Sequence, residues 1–275
     1  MSGDVQGFAL ENRPTPPATL IAETWGARWL IMTLARKEFF VRYRRASFGL
    51  LWAVGLPLFQ AAVLTVVFSR VLRINAGVPY PAFVYAGLIG WSFFSAVLGG
   101  GSSAIVDNAM LASRIYFPRT VLPLVTVVAN LYSHVISAVI LVIICLAFGV
   151  PVGVHLALLI PATLLMTALS ASFVLVLSAL HVYFRDVRFI VQAALIAWFY
   201  VTPVFYPTWL LSGRPLQLIL LNPVTGVVEL FRAATVGADA DLGYVVAVSC
   251  VWTVVLGAIG LLLHARFNRV FSDLL

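Results

Sequence analysis

Two residue patterns in this chain have the types and spacing that chemistry would need. His181 and Asp186 stand in HVYFRDVRF (181–189), the His-x4-Asp spacing at which glycerolipid acyltransferases place a base and the carboxylate that orients it. Two residue types at one spacing recur by chance, and the sequence offers no sizeable polar domain to hold an acyl donor. Arg185 and Asp186 are therefore read as local pairs or contacts to a partner. The second pattern is the run of three glycines at 99–101. A phosphate cradle needs Gly-Lys-Ser/Thr to follow, and Lys37 is the only lysine in the chain. These glycines instead predict a flexible, close-packed helix end. No ATP-binding motif is therefore read in this chain.

The elements that must position everything else are apolar. Of 275 residues 62% are hydrophobic and 10% charged, with a mean hydropathy of +1.05. Soluble domains carry roughly 25% charged residues, so lipid is the expected solvent. About 20 apolar residues cross a hydrocarbon core of roughly 30 Å. Six segments have that length: Phe48–Leu72, Tyr80–Ala104, Thr120–Phe148, Val154–Val182, Phe189–Leu210 and Leu242–His264. Alternating barrel strands are absent, so the expected fold is an all-α integral membrane protein with six transmembrane helices. Cys145 and Cys250 lie inside spans and read as small hydrophobes. Met1–Ala22, with its PTPP run and no basic leader, reads as a cytosolic tail, poorly ordered unless a partner holds it. The domain boundary is set after residue 26, leaving 27–275 as one membrane domain.

Charge sets the orientation. With the N-terminus in the cytosol, thirteen of the seventeen Lys and Arg lie inside, and only Arg70, Arg73, Arg214 and Arg232 face outward. Both termini are then cytosolic. The aromatic, cationic segment 27–46 is too highly charged to be a seventh span. Arg36, Lys37, Glu38, Arg42, Arg44 and Arg45 fall within ten residues, and each charge at mid-bilayer costs about 2.5–3.5 kcal/mol. A helix along the cytosolic interface is the better placement. Its cations point in several directions, so it is expected to meet anionic lipid on one side and protein on another.

Two loops stand out. The inner connection GGGSSAIVDNAMLASRIYFPR (99–119) carries Asp107, Asn108 and Arg114 among too many apolar residues for a plain solvated loop, and it predicts a short helix and a docking surface. The outer connection from Ser212 to Asp241 contains Asn222-Pro223, a helix-start signal. The helix that follows is too short to span, and Glu229 and Arg232 sit three apart on it, able to pair. It predicts a re-entrant or interfacial hairpin leaning on the bundle.

Polar groups inside spans are functional candidates: Gln60, then Asn130 and His134 on one face, then Gln192. No acidic residue lies deep in a span, which weighs against proton- or sodium-driven transport. Rings at Trp52, Phe59, Trp91, Phe94, Trp198 and Tyr200 could line a passage, their flat faces stacking on the C–H surfaces of sugars. Together with Gln60 and Asn130 they form the candidate channel lining.

Five stretches, LARKEFFVRYRRASFGLLWAVGLPLF (34–59), YAGLIGWSFF (85–94), SAIVDNAMLASRIYFPRTVLPL (103–124), FRDVRFIVQAALIAWFYVTPVFYP (184–207) and NPVTGVVELFR (222–232), resemble ABC-2 type permeases. The resemblance is to the branch exporting O-antigen, teichoic acid and related lipid-linked polysaccharides. It implies the ABC-2 (type V) exporter fold and a permease homodimer served by two separate ATPase subunits, which carry the ATP and magnesium. It implies that the chain itself has no cofactor, metal or catalytic residue and binds no nucleic acid. The expected residence is the cytoplasmic membrane. By the same resemblance Arg36, Lys37, Glu38, Arg42, Arg44, Arg45, Asp107, Asn108, Arg114, Arg185 and Asp186 would meet the ATPase, and Asn222, Glu229 and Arg232 would belong to short outer helices at the exit. Related chains often carry aspartate where Glu38 stands, a change that keeps the charge. An exporter of a small hydrophobic drug or lipid, a membrane transferase and a membrane scaffold are the competing readings.

Overall fold

A computed structural model of the chain describes residues 16–44, 48–49, 51–114, 117–238 and 240–267, and the side chains within these except 112–114 and 267. Among them the regular structure is helical. Helix α1 (Pro17–Gly26) and helix α2 (Arg28–Arg44) meet at Ala27. The tail expectation fails for residues 17–22: Pro17 occupies the first helical position, where its fixed φ suits the turn, and Leu20 is fully buried.

The first span is α3 (Leu51–Thr65), which continues as a π-helical turn over Val66–Val71. It is followed by α4 (Tyr80–Gly101), two short loop helices α5 (Ala104–Asp107) and α6 (Ala109–Arg114), and α7 (Val121–Ala147). A 3-10 turn at Val154–Leu158 leads into α8 (Leu159–Tyr183), then α9 (Val187–Val201). Two shorter helices, α10 (Gly213–Leu220) and α11 (Pro223–Ala233), come next, and α12 (Leu242–Phe267) is the last described element.

Helix α4 is the axis of the bundle, buried along most of its length between α7, α8, α11 and α3. Small residues permit this. A Cβ at Gly87 would stand 2.7 Å from the Val204 carbonyl oxygen, and one at Gly101 would stand 2.3 Å from Val174 Cγ2. The glycine run thus ends in close packing, as expected, although Gly99 itself faces open space. By contrast α3 and α12 are exposed over most of their surface, the condition of helices that face lipid or another subunit.

Five described helices are long and apolar enough to cross a membrane. The expected fifth span, Phe189–Leu210, is not one helix. α9 has 15 residues, about 22 Å at about 1.5 Å per residue, and stops at Val201. Pro203 is the cause: it has no N–H to give, and it forces Thr202 into the extended conformation seen there (ψ 133°). The chain completes its passage through 202–207 in non-helical form, with the Tyr80 hydroxyl bonded to the Phe205 carbonyl.

α10 and α11 bend by 83° across Leu221–Asn222. Ser249, seven residues into α12, donates to the Pro223 carbonyl at 2.6 Å, which puts the start of α11 about 10 Å deep. Its far end returns to Phe83, near the start of α4. The pair enters and leaves on one side, as the re-entrant reading requires, and every residue from Pro223 to Arg232 is buried.

Candidate functional site

Of the polar span candidates, Gln60, Asn130 and His134 converge on one cavity of about 420 Å³ between the end of α2 and helices α3, α4 and α7. Helix α7 contributes Asn130, Ser133, His134 and Ser137, the i, i+3, i+4, i+7 positions of one face. From α4 come Ser92 and Ser95 beside the rings of Trp91 and Phe93, and α3 adds Trp52 and Gln60. Helix α2 supplies Arg42 and Tyr43.

Hydrogen bonds fix this wall. Asn130 Nδ2 donates to the Thr126 carbonyl at 2.8 Å, which aims its Oδ1 at Arg42, whose guanidinium donates to it at 2.9 Å. The other end of that guanidinium holds Glu38 at 3.1 Å, one turn back on α2. Partial burial pushes the Glu38 carboxyl above the ordinary carboxylate range, and the charge and hydrogen bond of Arg42 oppose the rise. Tyr43 and Ser133 share a hydroxyl contact at 3.4 Å. His134 Nε2 contacts Thr163 Oγ1 at 3.1 Å, and its ring lies edge-on between Phe93 and Phe231. Hydroxyls, amides and one guanidinium therefore face the same space as flat ring faces, a lining suited to a solute that is polar at its edges and apolar on its faces.

α2 reaches the cavity because it packs along α7. Ile31, Ala35 and Phe39, four apart, form a buried stripe, with Ile31 and Ala35 in the cluster of Val121, Leu122, Val125 and Ala129 and Phe39 against Tyr132. The cations obscure this stripe in the sequence, because a narrow seam of three residues suffices when one of them is Phe39, whose ring packs at a tilt on Tyr132. Arg36, Lys37 and Arg44 are exposed, while Arg42 turns inward. Arg45 and the side chain of Arg114 lie outside the described residues.

Of the candidate lining, Trp52, Gln60, Trp91 and Asn130 meet at the cavity. Four do not. Phe94 is fully buried against Phe173 and Trp198. Trp198 is packed there too and donates to Asn222 Oδ1 at 3.0 Å. Phe59 and Tyr200 are exposed on other faces. Composition cannot separate a ring that lines from a ring that packs, and α4 is buried on nearly every side. Gln192 likewise lies exposed on α9. The sequence reasoning missed Tyr43, Ser92, Ser95, Ser133 and Ser137. The helical spacing of Ser133 and Ser137 from Asn130 was the available signal.

The two inner loops lie together. Arg188 stands 3.9 Å from Asp107, which also accepts from Ser103 at 2.6 Å. Asn108 donates to the Ala104 carbonyl at 2.8 Å, and Arg185 and Asp186 are exposed at the α8–α9 turn.

On the opposite side Asn222 caps α11, accepting from the Val224 N–H at 3.1 Å, and donates to Thr202 at 3.0 Å. Glu229 and Arg232 pair at 2.8 Å with no solvent exposure. Arg232 also donates to the carbonyls of Pro203 (2.6 Å) and Val204 (3.1 Å) and sits 3.8 Å over the Phe83 ring. It is not the outward-facing cation that the charge count assumed. The broken end of α9 leaves carbonyls unpaired, and Arg232 satisfies two of them.

Residues 30–236 match the ABC-2 type transporter family. The chain belongs to that family. It is 34% identical over 218 residues to an O-antigen export system permease protein RfbA of Myxococcus xanthus, covering 78% of this chain and 83% of the relative. An RfbA of Klebsiella pneumoniae is 23% identical over 90% of this chain and 95% of its own length. The polysialic acid transport protein KpsM of Escherichia coli is 22% identical over 85% of this chain and 92% of its own.

Within this ABC-2 transporter the His-x4-Asp pattern is not a catalytic pair. His181 is buried with its Nδ1 unpaired, while Asp186 is exposed at the start of α9. A base with no orienting carboxylate on its ring lacks the arrangement acyl transfer needs.

Proposed function

We propose that this chain is the permease subunit of an ATP-driven exporter that moves a lipid-linked cell-surface polysaccharide across the cytoplasmic membrane. The observation that carries the reading is the mixed lining of the cavity. Sugars present hydroxyl edges and apolar C–H faces, and Ser92, Ser95, Ser133 and Asn130 stand beside the rings of Trp52 and Trp91. The names of its relatives, O-antigen and polysialic acid transport proteins, agree with that chemistry.

Energy comes from two copies of a separate ATPase subunit that hold the ATP and magnesium. Their contact is the exposed cationic side of α2 together with the adjoining loops marked by Asp107, Arg185, Asp186 and Arg188. Both termini lie in the cytosol. Removing buried Arg232 from the charge count leaves Arg70, Arg73 and Arg214 outside, which strengthens the bias.

The transporter works as a homodimer. A wall bearing Arg42, Gln60 and Asn130 cannot face hydrocarbon, and α3, its outer side, is mostly unburied within one chain. A second copy would enclose it. A small hydrophobic drug gains little from so polar a lining. In a strain deleted for the gene, surface display of the long-chain glycan is lost and the lipid-linked polymer accumulates inside. The chain restores display, and Asn130→Leu does not. Normal display in the deleted strain would overturn the proposal.

A further inference from the structure

A second cavity, of about 610 Å³, lies at the other end of α2 from the polar one, lined by Arg28, Ile31 and Met32 where the polar cavity has Arg42 and Tyr43, and bounded by α1, α2, α7, α8 and α12. Its wall is almost entirely carbon, with Leu124, Leu164 and Leu261 along its length. Helix α8 lines it from Leu175 to Leu164, about 16 Å at about 1.5 Å per residue, close to the roughly 15 Å of one hydrocarbon leaflet. One end is different. There Arg28 and Trp25 stand at the α1–α2 elbow, the guanidinium 5.8 Å from the indole centre, and both side chains are exposed. Among the described residues the polar partner of that guanidinium is the carbonyl of Trp25, at 3.2 Å, and no carboxylate pairs with it.

We infer that this groove binds an anionic glycerophospholipid of the cytoplasmic leaflet, an acyl chain along Leu124 and Leu164 and the phosphate on Arg28. Length, carbon lining and a single cation at one end together match that molecule. Guanidinium recognises a phosphodiester through paired N–H donors, and a free phosphate would leave the apolar groove unfilled. A helix surface so exposed at Ile21, Trp25 and Met32 cannot lie open to water, and lipid is what a membrane-spanning wall presents to it. The lipid would wedge the elbow at Ala27 against the spans and so fix the angle at which α2 approaches the ATPase. This rests on the orientation proposed above but not on the identity of the exported solute.

The test uses the full chain purified with its ATPase in nanodiscs containing phosphatidylglycerol with a photoreactive group in one acyl chain. Cross-linked peptides are mapped by mass spectrometry. Labelling concentrates on residues 21–32, 124–128 and 164–175. Arg28→Ala lowers it about fivefold, the loss of one cation near an anionic lipid surface. Ala171→Phe, which fills the groove without touching charge, lowers it as well, and labelling at Val251–Val255 on the exposed face of α12 stays constant in both. That internal control separates loss of the site from loss of the fold. Uniform labelling around the belt, insensitivity to both substitutions, or cross-links from the groove to residues 1–15 or to a second copy would overturn the inference. Equal labelling by phosphatidylcholine would overturn its anionic preference.

Discussion

Arg42 donates to Asn130 at 2.9 Å, and this bond ties the cationic helix to the wall of the polar cavity. The helix proposed to meet the ATPase is therefore in direct contact with the surface proposed to meet the solute. Movement of α2 along α7 would change the cavity without any intermediary. In Arg42→Ala and Asn130→Ala the same bond is lost, so the double variant is expected to lose little more than either single one. A coupling energy of about 1 kcal/mol is anticipated, below the roughly 1.5–3 kcal/mol of hydrogen bonds to charged groups because Arg42 is partly exposed. Thermal unfolding of all four proteins gives the cycle, and strict additivity would mean that the bond is not made.

Buried and paired, Glu229 and Arg232 close the outer side. Arg232→Ala removes the buried counter-charge of Glu229 and the donor to two carbonyls, an expected cost of about 3–5 kcal/mol. Glu229→Leu combined with Arg232→Met removes both charges and is expected to recover part of that loss. Denaturation of the purified chain in detergent reads the order, and a milder effect for Arg232→Ala than for the double variant would refute it.

Seating of α11 on α12 depends on a missing side chain. A Cβ at Gly226 would lie 2.2 Å from the Val245 carbonyl oxygen and 2.3 Å from Ser249 Oγ. Gly226→Ala is expected to destabilise by about 3 kcal/mol, the upper end for overpacking, because backbone cannot yield as a side chain does. Gly99→Ala meets nothing within 4 Å and should be neutral or slightly stabilising. Comparable melting shifts for both would contradict this packing.

Glu38 gives a pH dependence. Burial raises its folded pKa, so the folded state holds the proton more tightly than the unfolded chain. Its contribution to stability is fully present below the unfolded pKa and is lost as pH rises through the raised value. Glu38→Gln should thus be at least as stable as the parent at pH 8, with the gap narrowing toward pH 4. A stability deficit at pH 8 that vanishes in acid would reverse the sign.

Most of this architecture was visible as hydropathy. The first four spans and the last appear within a few residues of their expected bounds, because about 20 apolar residues leave few alternatives. The fifth was misjudged since FYVTPVFYP is as apolar as a helix. Only Pro203 and its effect on Thr202 reveal the break, and a hydropathy average does not weigh one residue's missing N–H. The outer hairpin was readable from Asn222-Pro223 and from the spacing of Glu229 and Arg232. Its depth was not, because complete burial of an ion pair depends on what α9 leaves unsatisfied. Half of the candidate lining residues meet at the polar cavity, for a similar reason: Asn130 is polar on an apolar face and so announces itself, whereas Phe94 and Trp198 have the same chemistry whether they line or pack.

The dependence of glycan movement on a separate ATPase can be measured by reconstituting the chain, with and without its cognate ATPase, into liposomes carrying a lipid-linked glycan and following ATP hydrolysis and glycan arrival on the far side together. Neither activity is expected from the chain alone, both are expected from the complex, and Arg42→Glu is expected to abolish glycan movement. Hydrolysis by the isolated chain, or a complex that consumes ATP while the glycan stays where it began, would contradict the proposed function.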